Sequence, residues 1–377
     1  MKAKLAEMPT IRLPRSGRGE MIALPPRARI LVVALRRLGD VLLTTPLIRS
    51  LKRAFPDAAI EALVFAGTEG ILVGNPDLAG VITMPPRAAA DGLALMRALW
   101  RRYDLALSTQ SGDRPTLLAW IAGRASGGPV APAGVIAWLK RMALDHPVAT
   151  DEARHRVEEV LELATVLGVP AVRELVCPSG PLRTDLLPKE DYAVIHAGPM
   201  FRYKRWTAEG WRALAASLAQ RGLAVVATGG PDDRRYCDEV WRPDARDAAV
   251  VRRLDGMLSW PELAGLIGRA RVYVGPDTSV THLAAATGVM TVALYGPTDP
   301  RRFGPWPVGG AGGVWEAGGT IQHRGNVWLV QNPLPCLPCR NEGCERRIDS
   351  YSRCLDLLSP HQVLMAVDQA LSVRAGS

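Results

Sequence analysis

Short apolar, β-branched runs alternate with amphipathic stretches along this chain, and the alternation occurs twice. The first set of runs lies at 28–35, 59–65, 80–84 and 104–108; the second lies at 192–197, 223–228, 271–275 and 289–295. A parallel strand covered on both faces reads as a continuous apolar run rather than an alternating one. Strands separated by helical patterns imply βαβ units. The segment 154–168 carries apolar residues at 157, 160, 161, 163, 164 and 167, one face of a helix. After it, 169–188 is rich in Pro and Gly without periodicity and reads as a linker. The expected organisation is a flexible basic arm over 1–26, a first domain over 27–175, a second over 189–360, and a closing helix and tail over 361–377. The fold class is α/β, with two open parallel sheets facing a central cleft and ligands at the carboxyl ends of their strands.

Composition removes whole classes. At 377 residues the chain suits two domains, and 48% hydrophobic against 22% charged residues is ordinary for a globular protein. Disordered, collagen-like and coiled-coil chains are excluded. The longest apolar stretch, 117–139, is broken by Arg124, a Gly pair and two prolines, short of the roughly 18 uninterrupted residues that a spanning helix needs. The formal net charge of +9 favours anionic partners: nucleotides, phosphorylated glycolipids or a membrane surface. No nucleic-acid recognition motif accompanies it. The arm is basic but has no apolar core or cleavage pattern of a secretory signal, so a cytoplasmic location is expected.

No Gly-x-Gly-x-x-Gly follows an expected strand and no Gly-Lys-Ser/Thr occurs, which disfavours nicotinamide dehydrogenases and P-loop NTPases. Instead a strand ends at Gly275 and a helix is expected from Asp277 or Thr278. The amides of such a first turn suit a diphosphate, with Thr278 and Ser279 adding hydroxyls. A second glycine loop opens at Gly296 at an adjacent strand end and frames the same pocket. Lys204, one of only six lysines, follows the strand at 192–197 and is placed to meet a phosphate. Asp232 and Asp233 sit in a further strand-end loop, suited to ribose hydroxyls or to helix capping. Asp40 lies in the turn after the first strand. It is expected to cap the next helix, which Pro46 delays or kinks. Ser259 and Glu262 form a capping box around Pro261.

Taken together, Leu38-Gly39-Asp40 with Thr44-Thr45-Pro46, Lys204-Arg205-Trp206, Asp277-Thr278-Ser279 with His282, and Tyr295-Gly296-Pro297-Thr298 resemble glycosyltransferase family 9, the heptosyltransferases of the lipopolysaccharide core. The resemblance runs from about Ile30 to residue 368. It implies the GT-B fold, an ADP-sugar donor on the second domain and a lipid-linked acceptor of the Kdo-lipid A type on the first. It also implies inverting transfer with no cofactor and no metal in the chemistry. By position, Asp40 matches the general base, Lys204 a contact to the donor phosphates, and Asp277, Thr278, Ser279 and His282 the donor motif. Asp232 or Asp233 matches the ribose-contacting acid. Residues 109–114 depart from the relatives' pattern where the acceptor is expected, which makes Asp113 and Arg114 acceptor candidates or, equally, a helix cap and a surface cation.

Cys336, Cys339, Cys344 and Cys354 fall within nineteen residues, a spacing open to structural zinc, free thiols or disulfides. The basic balance is consistent with peripheral contact at the inner membrane. Two rival functions share parts of the pattern. A nucleotide-sugar epimerase would need acid and base groups on both faces of one sugar, and only Asp40 is clearly placed. A non-catalytic polyanion binder would have no use for Asp40 and Lys204 together.

Overall fold

The computed structural model describes residues 21–85, 90–242, 251–310 and 315–375. Most of the expected arm and the last two residues lie outside that range. The first half runs β1 (Arg29–Ala34), α1 (Leu38–Leu42), α2 (Thr45–Ala54), β2 (Ala59–Phe65), β3 (Gly80–Met84), α3 (Ala90–Leu99), β4 (Tyr103–Ser108), α4 (Asp113–Ala122), β5 (Gly123–Val130), α5 (Val135–Ala143), β6 (His146–Ala149) and α6 (Arg156–Val166). The second runs β7 (Tyr192–His196), α7 (Ala208–Gln220), β8 (Ala224–Thr228), α8 (Arg234–Val240), β9 (Val251–Arg253), α9 (Trp260–Arg269), β10 (Val272–Pro276), α10 (Ser279–Thr287) and β11 (Thr291–Tyr295). It ends with α11 (Pro300–Phe303), β12 (Ile321–Arg324), β13 (Val327–Gln331), α12 (Arg353–Asp356) and α13 (Pro360–Ala375).

The first sheet has the order β3-β2-β1-β4-β5-β6, parallel throughout; the second has β12-β13-β11-β10-β7-β8-β9, with only β12 antiparallel. These are two Rossmann-like domains, the GT-B architecture. In each sheet the strand order reverses between two central neighbours, β1 and β4 in one and β7 and β10 in the other. Loops leaving such a pair diverge to opposite faces and open a crevice at the strands' carboxyl ends. Every candidate side chain follows from these two crevices.

The sheets are built as apolar runs require. Ile30, Leu31, Val32 and Val33 are wholly buried, and all six apolar positions of the 154–168 pattern are buried under the first sheet. Pro46 stands in the first turn of α2, and the expected single helix is divided into α1 and α2 around it. α13 belongs to the second domain: Val363, Ala366, Val367 and Ala370 join the core under β11 and β13. Ile22, inside the expected arm, is buried against the first domain and its N–H bonds the Leu167 carbonyl at 2.9 Å. The arm's expected flexibility therefore does not reach residue 22.

An apolar seam joins the domains. Val41, Leu42 and Leu161 of the first pack with Ala264, Leu283 and Trp306 of the second. Polar ties reinforce it: His155 Nε2 meets the Gly304 carbonyl at 2.8 Å and Trp306 Nε1 donates to the Arg173 carbonyl at 2.8 Å. This seam sets the carboxyl ends of the two sheets against each other.

Candidate active site

The loop leaving β1 carries Asp40 into the cleft. Asp40 is the third residue of α1, which opens after Arg37 with no side-chain cap. This corrects the expectation that Asp40 caps the helix. Its Oδ1 is buried without a hydrogen-bond partner, 3.6 Å from the equally unpartnered Arg156 Nε. Arg156 is held by other bonds: Nη1 donates to Glu159 at 2.8 Å and Nη2 donates to the Thr109 carbonyl, just beyond β4, at 2.6 Å. Arg302 of the second domain reaches Glu159 at 3.5 Å, completing a buried chain of alternating charges that crosses the seam.

Directly opposite lies the first turn of α10. A Cβ on Gly39 would stand 3.5 Å from His282 Cδ2 and 3.7 Å from the Ser279 Cα, so the glycine lets α1 approach that closely. Thr278, rather than Asp277, caps α10, its hydroxyl accepting from the Thr281 amide, and the helix begins at Ser279, one or two residues later than expected. The amides of Ser279 and Val280 precede the first intrahelical bond and point from the positive end of the helix.

Three strand ends of the second sheet converge beside it. The buried Asp277 carboxylate, after β10, accepts from Lys204 Nζ, after β7, at 2.5 Å and from Thr298 Oγ1, after β11, at 2.6 Å. Burial alone would raise the Asp277 carboxyl; the Lys204 charge, His282 and these hydrogen bonds outweigh it and hold the carboxyl below its ordinary range. His282 is fully enclosed, and burial pushes its imidazole down, opposed by Asp277 and Asp40. At the mouth, the Arg37 guanidinium lies 4.5 Å from the Phe201 ring centre, spanning the two domains.

The remaining candidates separate. Asp233 is turned inward: its Oδ2 accepts from the Gly230 amide at 2.8 Å and burial raises its carboxyl, while Asp232 is exposed at the end of β8. Asp232 is thus the carboxylate left facing outward. Gly296 is needed for packing, because a Cβ there would meet Leu355 Cδ1 at 2.9 Å and Cys354 Sγ at 3.3 Å. Asp113, at the start of α4, pairs with Lys140 Nζ at 2.7 Å, and Arg114 beside it is exposed. Arg156 and Glu159 were not singled out by the sequence, and Thr298 entered only as part of the Tyr295–Thr298 motif, with no role given to it. Nothing in the pattern of α6 separates an inward arginine from a solvated one.

All six cysteines are free thiols. Cys354 is pushed up to about 12 by burial and by neighbouring Cys339, Cys344 and Cys336. Among the described residues no group of three or more metal-ligating side chains is arranged to hold an ion, and no helix is long and apolar enough to cross a membrane.

The sequence profile of glycosyltransferase family 9 (heptosyltransferase) matches residues 93–311. Lipopolysaccharide heptosyltransferase 3 of Escherichia coli is 30% identical over 287 residues, covering 71% of this chain and 83% of that protein. Lipopolysaccharide heptosyltransferase 1 of Pseudomonas aeruginosa is 28% identical over 91% of this chain and 98% of its own length. Among solved structures, a family 9 glycosyltransferase from Veillonella parvula superposes with a TM-score of 0.72 at 20% identity, covering 92% of this chain and 97% of that one. The Escherichia coli heptosyltransferase WaaC, solved with ADP, gives 0.69 at 22% identity, covering 91% and 99%.

Proposed function

The chain belongs to glycosyltransferase family 9, the heptosyltransferases, and from that premise we propose that it transfers a heptose or closely related sugar from an ADP-sugar to the inner core of lipopolysaccharide, on a Kdo-lipid A type acceptor, with inversion. The observation that carries the reading is the meeting of α1 and α10. Asp40, with an unpartnered carboxylate oxygen, faces the helix end where a diphosphate would lie.

In this mechanism Asp40 accepts the proton of the acceptor hydroxyl as its oxygen bonds to the anomeric carbon. The bond from that carbon to the diphosphate breaks on the opposite face, and ADP leaves. The negative charge that develops is met by the Lys204 ammonium and by the amides at the start of α10, with Thr278 and Ser279 hydroxyls beside them. Those groups supply the electrostatic stabilisation from protein alone, so the reading requires no cofactor. Arg156, with its Nε 3.6 Å from the Asp40 Oδ1, positions Asp40. Asp232 is the candidate for the ribose hydroxyls, and residues 109–114, including Asp113 and Arg114, border the acceptor side. The acceptor being lipid-linked, the enzyme works at the cytoplasmic membrane face.

The test is calorimetric binding of ADP-heptose and UDP-sugars to wild type and Asp40→Asn, with transfer to a Kdo-lipid acceptor assayed alongside. The expected result is ADP-sugar binding retained in the variant and turnover lowered about 10²- to 10⁴-fold. Full turnover in Asp40→Asn would remove the base assignment. Failure of wild type to bind any ADP-sugar would overturn the donor class.

A further inference from the structure

Helix α5 is amphipathic in the wrong sense for a helix on a soluble domain. Val135, Trp138, Leu139 and Met142 fall at the i, i+3, i+4, i+7 spacing of one apolar stripe. That stripe faces solvent: Val135 is 76% exposed, Trp138 58%, Leu139 53% and Met142 66%, with Ile136 beside them at 60%. The side turned to the protein holds the small Ala137 and the cation Lys140, whose Nζ donates to the Ser111 carbonyl at 2.5 Å and pairs with Asp113 at 2.7 Å. The inward lysine fixes the outward direction of the stripe.

The surface continues on the same side of the first sheet. Right-handed crossovers from β3 to β4, β5 and β6 put α3, α4 and α5 on one face. There α4 exposes Leu117 and Trp120, and Trp100 just after α3 is 61% exposed. Tryptophan rings favour the headgroup level of a bilayer, where one edge is apolar and the other wet. Between residues 97 and 142 the chain carries seven cations against two acids; with Lys140 turned inward on Asp113 and Arg124 paired with Asp104, the surplus is Arg97, Arg101, Arg102, Arg114 and Arg141. Arg141, at the end of the stripe, donates to the Ala131 and Pro132 carbonyls and keeps its charge there.

We propose that this face of the first domain, with the α5 stripe at its centre, docks onto the surface of an anionic lipid bilayer. The charge surplus selects the occupant: it attracts anionic headgroups and repels a second copy of the same basic face. The geometry also leads from the bilayer to the cleft. Lys140 grips residues 111 and 113, and the Thr109 carbonyl of the same loop holds Arg156 beside Asp40. Docking on α5 therefore sets the acceptor side of the first domain over the membrane, an assignment of purpose that rests on the lipid-acceptor reading above.

The experiment uses the full chain and Trp138→Asp/Leu139→Asp, cosedimented with vesicles of phosphatidylglycerol and phosphatidylethanolamine or of phosphatidylcholine alone. Wild type is expected to bind the anionic vesicles, less so as salt rises, and the double variant at least about tenfold more weakly. Both positions are half exposed, so the thermal midpoint is expected to be unchanged; Trp138→Ala/Met142→Ala repeats the test if it is not. Transfer from ADP-heptose to a lipid-free Kdo oligosaccharide is expected to be equal in wild type and variant. Equal vesicle binding by wild type and both variants would overturn the docking surface, as would a wild-type dimer that the substitutions dissociate. Wild type that binds vesicles but transfers nothing to the lipid-free sugar would overturn the functional reading and leave the docking surface standing.

Discussion

Removing the Lys204 ammonium tests the proposed donor end of the cleft most sharply, because in that reading it acts on stability and on binding together. In the folded chain Asp277 is 7% exposed and one of its oxygens accepts both Lys204 Nζ and Thr298 Oγ1. Lys204→Ala leaves that carboxylate buried without its cation, with the Thr298 hydroxyl still bonded to it. Breaking a fully buried ion pair costs about 3–5 kcal/mol; the 19% exposure of the Lys204 side chain and the surviving Thr298 bond place this one near 2–3 kcal/mol. Urea unfolding at pH 7 reads that difference directly.

The pH dependence supplies a second, independent sign. In wild type the Asp277 carboxyl is held below its ordinary value, so its contribution to stability is present above the unfolded pKa and is lost as pH falls through the folded one. Without the ammonium, burial is no longer outweighed and the carboxyl rises above its unfolded value. The folded variant then takes up a proton that the unfolded chain does not, and it gains stability as pH falls from neutral. The gap between wild type and Lys204→Ala should therefore narrow between pH 7 and pH 5, and Lys204→Ala/Asp277→Asn should recover most of it at pH 7. A variant within about 0.5 kcal/mol of wild type, with the same gap at both pH values, would refute the reasoning and return Lys204 to an ordinary surface cation.

Two further outcomes follow from buried groups elsewhere. His155 and His196 are each lowered to about 4, by burial first, from the ordinary 6.5. Each is neutral when folded and protonated when unfolded across that window, so stability should fall on acidification from about pH 6.5 to pH 4, by up to roughly 1.4 kcal/mol per pH unit for each histidine. His155→Gln should remove about half of that slope in urea titrations; an unchanged slope would sink the assignment. Gly296→Ala places a methyl 2.9 Å from Leu355 and should cost about 1–3 kcal/mol by thermal unfolding, with ADP-sugar affinity changed less than threefold. A large affinity loss at unchanged stability would instead make Gly296 a donor contact.

The strands that sequence patterns locate best are those written as continuous apolar runs. β2 and β3 coincide with their apolar runs residue for residue, and β1, β4, β7, β8, β10 and β11 differ by a residue or two at their ends. Apart from the edge strand β3, these lie inside their sheets and are covered on both faces, which makes their composition unmistakable. The strands β5, β6, β9, β12 and β13 were not legible. β5 lies inside its sheet yet carries Gly123, Gly127, Gly128 and Pro129, residues that mark loops rather than strands. Its glycines answer to contacts from distant residues: a Cβ on Gly127 would meet Leu107 Cδ2 at 2.9 Å and the His146 carbonyl at 3.0 Å. The same division holds at the cleft. Asp40, Lys204 and Asp277 stand at the strand ends where alternation places ligands. Their partners Arg156 and Glu159, and the bond that the motif residue Thr298 makes to Asp277, depend on how the loops fold over, which local spacing does not encode.

The two crevices also differ in how their charge is anchored. On the second domain, Lys204 and Thr298 both donate to Asp277 at the strand ends of one sheet, so the proposed donor end is set by that domain alone. On the first, Asp40 answers to Arg156, Arg156 to Glu159, and Glu159 to Arg302 across the seam. That chain is buried from Arg156 to Glu159, where ionic interactions are poorly screened and an unpaired member is costly. A relative shift of the domains that drew Arg302 away would leave Glu159 to Arg156 alone. Arg156 would keep its bonds to Glu159 and to the Thr109 carbonyl, so in the proposed reaction the base is positioned by the first domain and Arg302 ties that arrangement to the second.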